Sequence, residues 1–400
     1  MNIVMKTIHK SFKYRIYPTK EQEVLIEKHF GCCRFVFNKF LNERKEEYLN
    51  NGNSLNYYDN AKSMTDMKKE LLWLKDINSQ SLQSTLKNLD IAYNKFFRKT
   101  AKFPRFKKKN DNQSFHIPQF VELRNNKLCI PKFKKGIKIN IHRDVEGKIL
   151  NATLSKTSTG KYYISITCEL KYQEIEKTNS SVGIDTGIKD LATLSDGTKY
   201  ENIKSLKKSL KKLKYVQRQL SKKTKGSGQR NKQKIKLALI HEKVSNKRKD
   251  HLHKVSTEII KNHDIICVED LNVKGMIKNH KLAQALSDVG LGTFYNLLQY
   301  KASWNDKTIV KIDRFFPSSK MCSECNWINQ ELTLKDRKWT CLCCGVVHDR
   351  DVNASKNILL QGLNILSGLG TNSDIKQKQA ESSSIEEAMK LEAQGSLAPG

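Results

Sequence analysis

From Lys10 to Tyr17, Phe12, Tyr14 and Ile16 fall on one side of the chain and Lys13, Arg15 and Tyr17 on the other. A period of two predicts a half-buried strand with a basic outer face. Pro18-Thr19 ends it, and Thr19 with Gln22 three positions on is a capping box that opens a helix. The period then turns helical to about residue 98, with apolar positions at Leu25, Phe35, Phe37, Leu41, Leu82, Leu86, Leu89, Ala92 and Phe96. Lys99 to Asn110 reads as a basic loop around Phe103-Pro104-Arg105-Phe106. From about 114 to 170 the period returns to two, with turn signals at Asn125-Asn126 and Thr159-Gly160, which predicts a small antiparallel sheet or barrel. The first strand precedes the helices, so the helical block reads as an insertion into that sheet.

A third region begins at Ser180. Val182-Gly183-Ile184-Asp185 is a short strand running into a turn, and Leu191 to Leu194 with Asp196-Gly197 reads as the next strand and its hairpin turn. Ile203, Leu206, Leu210, Leu213 and Leu220 form one helical face. After a Gly/Ser break from Thr224 to Gln229, Leu237, Ile240, Val244, Leu252, Val255 and Ile259 form another. Together they predict an antiparallel helical hairpin. Ile265 to Asp270 reads as a buried strand with an acidic end, followed by a helix near Thr293–Trp304, a strand at Thr308–Asp313 and a last helix from Asp351 to Leu363. The Ser/Gln/Glu-rich tail lacks periodicity and reads as disordered.

Charge changes this picture of an ordinary mixed α+β protein. The chain of 400 residues carries 73 basic and 41 acidic side chains, a net charge of +32. Such a balance points to a polyanionic partner, above all nucleic acid. The charge is also clustered. Between Lys204 and Lys254 there are nineteen Lys and Arg but only Glu242 and Asp250. A solvated coiled-coil face would alternate in sign, so phosphate contact is the better reading of this hairpin. No apolar run is long enough to span a membrane, and the first residues do not make a secretory signal. A reducing cytoplasm, close to the nucleoid of a prokaryote, is the expected setting.

The cysteines add a metal site. Cys322-x-x-Cys325 and Cys341-x-x-Cys344 are separated by a hairpin-length segment, the spacing of a closed four-thiolate zinc ribbon. Cys343 lies inside the second pair and could compete with Cys344. Cys32, Cys33, Cys129, Cys168 and Cys267 lie in apolar segments and read as inert core thiols. A closed zinc site is structural, so catalysis must come from elsewhere.

Three acids occupy special places: Asp185 and Glu269 at strand ends and Asp351 at a helix start, seven residues past Cys344. Ligands of open α/β sheets bind beyond strand ends. Carboxylates gathered there repel one another unless a hard cation such as Mg²⁺ or Mn²⁺ binds them. Two such ions, about 4 Å apart, can activate a water and stabilise the leaving oxygen of a phosphodiester. Each acid alone has a plainer role open to it, as turn former, solvated loop residue or helix cap. Asp270 and Asp349 are near-neighbour rivals, while Asp190 and Asp313 read as structural.

With these residues in view, the chain resembles the transposon-encoded TnpB family, compact relatives of type V CRISPR effectors. The resemblance runs over about residues 8–365. It rests on Tyr14-Arg15-Ile16-Tyr17-Pro18-Thr19 with Gln22, Gly31 to Asn38, Pro104-Arg105-Phe106-Lys107, Gly183-Ile184-Asp185-Thr186-Gly187, Val268-Glu269-Asp270-Leu271, Phe316 to Lys320 leading into the ribbon, and Asp349 to Ala354. It implies an RNase H-like (RuvC) nuclease core with an inserted zinc ribbon, plus an N-terminal β-barrel wedge domain that carries an inserted helical recognition domain. The expected boundaries are 1–18 for the first wedge strand, 19–113 for the recognition helices and 114–179 for the wedge barrel. The core follows at 180–319 with its basic hairpin at 203–262, then the ribbon at 320–347, the last core helix at 348–366 and the tail at 367–400. The resemblance makes Asp185, Glu269 and Asp351 the catalytic, magnesium-binding carboxylates. It implies a guide RNA from the element end and double-stranded target DNA beside a short flanking motif. Ser79, Gln80 and Gln83 resemble the helix that reads this motif, though a plain polar helix face fits them equally well. Arg105, Lys107, Lys222, Lys223, Lys225, Arg230 and Arg248 are further candidate nucleic-acid contacts. Two other functions stay open: an RNA-guided repressor that binds without cutting, and a transposase that itself joins strands.

Overall fold

A computed structural model describes residues 7–171, 176–333 and 335–368, and the expected tail lies almost wholly outside them. The chain divides near residue 172 into two compact units. The first contains β1 (Thr7–Tyr17), α1 (Lys20–Asn51), α2 (Tyr57–Glu70), a 3-10 turn (Leu72–Asp76), α3 (Ser79–Phe97), β2 (Gln113–Ile117), β3 (Glu122–Arg124), β4 (Lys127–Cys129), β5 (Ile137–Asn140), β6 (Lys148–Lys156) and β7 (Tyr162–Lys171). Thr19 caps α1 as the sequence predicts. Its hydroxyl accepts from the Gln22 N–H, and the Gln22 side chain accepts from the Thr19 N–H. Gln22 also donates to the Gly136 carbonyl at 2.8 Å, which ties the helix start to the turn before β5.

The seven strands are ordered β2-β6-β7-β1-β5-β4-β3. β1 is therefore central, pairing antiparallel with β7 from Thr7 opposite Lys171 to Ile16 opposite Tyr162. Phe12, Tyr14 and Ile16 are buried. Asn125 and Asn126 both have positive φ, the backbone that a tight hairpin between β3 and β4 requires. Among the described residues no ladder joins β2 to β3, so these are the edge strands of the expected small antiparallel sheet or barrel.

Ile26, Phe30, Val36 and Phe40 of α1 and Leu82, Leu86 and Leu89 of α3 share a single core with the sheet. The helices thus follow β1 in sequence but are not a separately cored body. Phe35, expected inside, is a surface residue stacked edge-on against Trp73. It lies about 200° around the helix from Phe37, so the two cannot face the same core.

The second unit contains β8 (Ser181–Asp185), β9 (Asp190–Leu194), β10 (Lys199–Glu201), α4 (Ser205–Ser221), α5 (Gly228–Asn262), β11 (Ile265–Glu269), the short helices α6 (Val273–Met276) and α7 (His280–Val289), α8 (Leu291–Trp304), β12 (Thr308–Ile312), a ribbon of β13 (Lys338–Thr340) and β14 (Val347–Asp349), and α9 (Arg350–Leu366). Its main sheet is ordered β10-β9-β8-β11-β12. The first three strands form an antiparallel meander, and β11 runs parallel to both β8 and β12.

One sheet face, with Ile184, Ile266 and Val268, packs on Val255 and Ile259 of α5 and Phe294 and Leu298 of α8. The other, with Cys267, Val310 and Ile312, packs on Ile358 of α9. α9 lies unusually close. A Cβ added at Gly183 would stand 2.0 Å from the Ser355 carbonyl, and one at Gly362 would stand 2.3 Å from the Cys267 sulfur. These two glycines let the last helix rest flush on β8 and β11. Among the described residues no helix is long and apolar enough to cross a membrane.

Candidate functional site

The parallel register sets Ile184 of β8 beside Val268 of β11. Asp185 and Glu269 are the next residues of each strand, so the two carboxylates leave neighbouring strand ends on the same side. α9 brings Asp351 to them, because its first turn lies over the end of β8 when the helix rests on Gly183. The electrostatics record this meeting. Asp185 is pushed up to about 7, first by enclosure and then by the negative charges of Glu269 and Asp351, with Arg350 opposing. Enclosure and like charge act in the same direction on a carboxyl group.

The neighbours hold these acids in place. The Ser318 hydroxyl donates to Glu269 at 2.6 Å, and Ser318 is itself buried. Asp351 pairs with Arg337 of the ribbon at 3.5 Å. The Tyr295 hydroxyl bonds the Thr186 hydroxyl at 2.8 Å, next to Asp185, and burial pushes the phenol upward. A cavity of about 850 Å³ opens beside Glu269, lined in part by Asn272, Asn296, Gln299, Lys311 and Arg314. Sequence reasoning had singled out none of Ser318, Arg337 and Tyr295 individually. Only the run Phe316 to Lys320 pointed to one of them.

The rival acids are engaged elsewhere. Asp349 caps α9, accepting from the Asp351 and Val352 N–H groups, and pairs with Lys199 at 2.8 Å. Asp270 pairs with Arg314, and Asp313 accepts from the Phe315 N–H in a turn.

The ribbon forms a second centre. The sulfurs of Cys322, Cys325, Cys341 and Cys344 all lie within 4.8 Å of one another. The thiol of Cys343 is exposed and lies outside this group, which takes in Cys344. Backbone N–H groups of Trp327 and Val346 point at Cys325 and Cys344, and those of Cys344 and Cys343 at Cys341. Cys341 is held down to about 7 by these donors against the effect of burial. His348 Nε2 lies 3.0 Å from the Cys322 sulfur. Four converging sulfurs with N–H donors are the donor set and outer shell that fit a tetrahedral zinc.

Ribbon and carboxylates are joined by a short seam. Asn357 of α9 donates to the carbonyls of Ser318 and Met321, and Asn353 donates to Met321. Asn353 also accepts from the Ser323 N–H. The segment entering the first cysteine pair is thus bonded to the helix of Asp351 and, through Ser318, to Glu269.

The candidate nucleic-acid residues fare unevenly. Ser79 and Gln83 are exposed at the start of α3; Ser79 accepts from Lys68, and Gln80 donates to Gln119. Arg105, Lys107, Lys222, Lys223 and Lys225 are exposed. Arg230 instead donates to the Leu220 and Lys223 carbonyls at the end of α4, and Arg248 pairs with Asp288 at 3.6 Å. These two arginines are engaged in bracing the hairpin.

Comparison with known proteins gives the class. Residues 164–280 match a family described as "Probable transposase", and residues 292–358 match the "Cas12f1-like, TNB domain". A "Helix-turn-helix domain" family matches residues 5–53, although the described part of that stretch holds β1 and the single long helix α1. The solved "Cryo-EM structure of the Cas12f1-sgRNA-target DNA complex" is similar with a TM-score of 0.54 at 13% identity, covering 88% of this chain and 98% of that one. The fold is thus of the Cas12f kind.

Relatives narrow it further. A "Putative RNA-guided DNA endonuclease" of Streptomyces pristinaespiralis is 38% identical over 90% of this chain and 91% of its own length. "Putative RNA-guided DNA endonuclease InsQ" of Escherichia coli K12 is 37% identical over 89% and 93%. "TnpB-like protein L79" of Acanthamoeba polyphaga mimivirus is 25% identical over 88% and 73%. The chain belongs to the TnpB family.

Proposed function

We propose that this protein is a transposon-encoded, RNA-guided DNA endonuclease that uses Asp185, Glu269 and Asp351 as its metal-binding carboxylates. The observation that carries the reading is the shared charge of the site. Asp185 is pushed up to about 7 by enclosure and by two further acids that arrive from a neighbouring strand end and a helix start. Arg337 lies 3.5 Å from Asp351, and a hard divalent cation is the partner that would balance the charge of three carboxylates that one arginine leaves. The strand order, an antiparallel meander followed by two parallel strands, supports an RNase H-like core.

Mg²⁺ or Mn²⁺ held there would supply an activated water and stabilise the leaving oxygen of a phosphodiester. The chain's own residues do the rest. Ser318 orients Glu269, Arg337 holds Asp351, and the Asp349 cap fixes the first turn of α9. Zinc on Cys322, Cys325, Cys341 and Cys344 is structural in this reading, since all four positions are filled by protein sulfur. The exposed cations at the tip of the α4–α5 hairpin serve the nucleic-acid backbone, and Ser79, Gln80 and Gln83 serve the motif that flanks the target. Base pairing with the guide would read the rest of the target.

The test is to purify the protein from cells carrying its locus, sequence the RNA that comes with it, and challenge a plasmid library bearing the matched target and randomised flanks. Mg²⁺-dependent cutting beside one flank is the expected outcome. No bound RNA and no cutting would overturn the reading.

A further inference from the structure

The end of α3 and the loop that follows expose aromatic rings in a stretch of sequence rich in Lys and Arg. Phe97 is 65% exposed, Phe106 49% and Phe103 43%. Phe97 and Phe103 rest on the same two supports. Tyr93 lies 6.1 Å from Phe97 and 5.6 Å from Phe103, and Phe96 lies 5.4 Å and 5.3 Å from them. Between Asp90 and Asp111 there are eight Lys and Arg and no acid.

The loop is also held in shape. The Asn38 side chain donates to the Lys107 carbonyl and accepts from the Lys107 N–H, at 2.9 and 2.7 Å. The Lys108 N–H donates to Asp111 at 2.7 Å. Rings on rigid supports lose little freedom when something stacks on them.

We propose that this surface is a base-stacking platform for unpaired RNA, with Phe97 and Phe103 as the stacking rings. A duplex keeps its bases inside the stack and offers only phosphate to such a surface, which would leave the rings uncovered. An unpaired strand offers both a π-face for each ring and a phosphate for each flanking cation. The choice of RNA over DNA rests on the guide proposed above; the stacking itself does not.

The test uses the full chain, freed of bound nucleic acid by high salt, and an unstructured 12-nucleotide RNA. The same sequence as DNA and as duplex RNA serves for comparison, each titrated at several salt concentrations. Phe97→Ala and Phe103→Ala should each weaken the unpaired RNA by about tenfold with an unchanged salt slope. Arg105→Ala should flatten that slope by about 0.7 instead. Phe97→Trp should keep the affinity, and the fluorescence it adds should be quenched on binding, which reports stacking in a folded protein.

Parent-like affinity in both alanine variants, an equal loss on duplex RNA, or no quenching would overturn the platform. A preference for unpaired DNA would overturn its assignment to RNA. Failure of guided cutting with these binding results intact would fall on the proposed function and leave the platform standing.

Discussion

The ribbon and the last acid of the carboxylate cleft stand a few residues apart in sequence, yet the two sites are built on opposite principles. The ribbon draws all four ligands from one local stretch, and their sulfurs converge within 4.8 Å. The cleft draws one acid from each of β8, β11 and α9, which are separated by most of the second unit. Among the described residues the four sulfurs form such a group, and the three carboxylates do not close to that spacing. In the proposed reading the difference separates a site that stores folding energy from one that keeps room for a substrate. Soft ligands crowded by backbone donors make a closed structural centre. Hard ligands on the rims of rigid elements make an open one.

The sharpest way to break this contrast is Asp185→Ala. Removal of the central acid should lower cleavage by about a thousandfold or more, the scale of several kcal/mol of lost transition-state stabilisation. Binding of guide and target should persist, and zinc content should stay at one per chain. Cleavage at the parent rate would remove Asp185 from the chemistry.

Cys322→Ser comes next and works from the other side. It should lower zinc content and loosen the seam of Asn353 and Asn357, so that Asp351 and Glu269 lose their support. Misplacement by about 1 Å is enough for a loss of about a hundredfold. Excess Mg²⁺ should restore it only in small part, because two of the three acids and the start of α9 are displaced together. Full zinc content in the variant would sink the ligand assignment.

The two sites were not equally legible in the sequence. Four cysteines in two tight pairs point to a zinc site by spacing alone, since the cysteines are local. Spacing left Cys343 as a rival, and its thiol lies outside the sulfur cluster. The acids were marked by their places at strand ends and a helix start, and β8, β11, β12 and α9 all form close to where the periodicity put them. What periodicity could not show is any side chain acting across elements. Ser318 looks like a polar loop residue until β11 and α9 close around it. Arg230 and Arg248 look like free cations until the ends of α4 and α7 are in place. In the first unit, shared burial merges helices and sheet into one core, which local patterns of two and 3.6 cannot reveal.

A smaller effect tests how the cleft is held open at the correct width. Gly183→Ala puts a methyl group into the backbone of α9 at Ser355 and Leu359. Overpacking of this kind costs about 1–3 kcal/mol. Thermal unfolding should begin at a lower temperature and cleavage should fall by about tenfold, while zinc content is unaffected. A variant as stable as the parent would show that α9 does not depend on this contact.

Ser318→Ala should give a change no larger than that, and the most informative one. The hydroxyl donates to Glu269, while the Ser318 backbone carbonyl is held by Asn357 of α9, so a single residue bridges both halves of the cleft. Its replacement removes one hydrogen bond to a charged group, worth about 1.5–3 kcal/mol, and leaves the backbone seam intact. If Ser318 positions Glu269, cleavage at limiting Mg²⁺ should drop by about tenfold and recover substantially as Mg²⁺ is raised. Ser318→Thr, which keeps the hydroxyl, should restore the Mg²⁺ dependence of the parent. A merely structural serine would instead lower the melting temperature and reduce cleavage equally at every Mg²⁺ concentration. That outcome would reduce the ribbon's link to the cleft to the backbone seam alone.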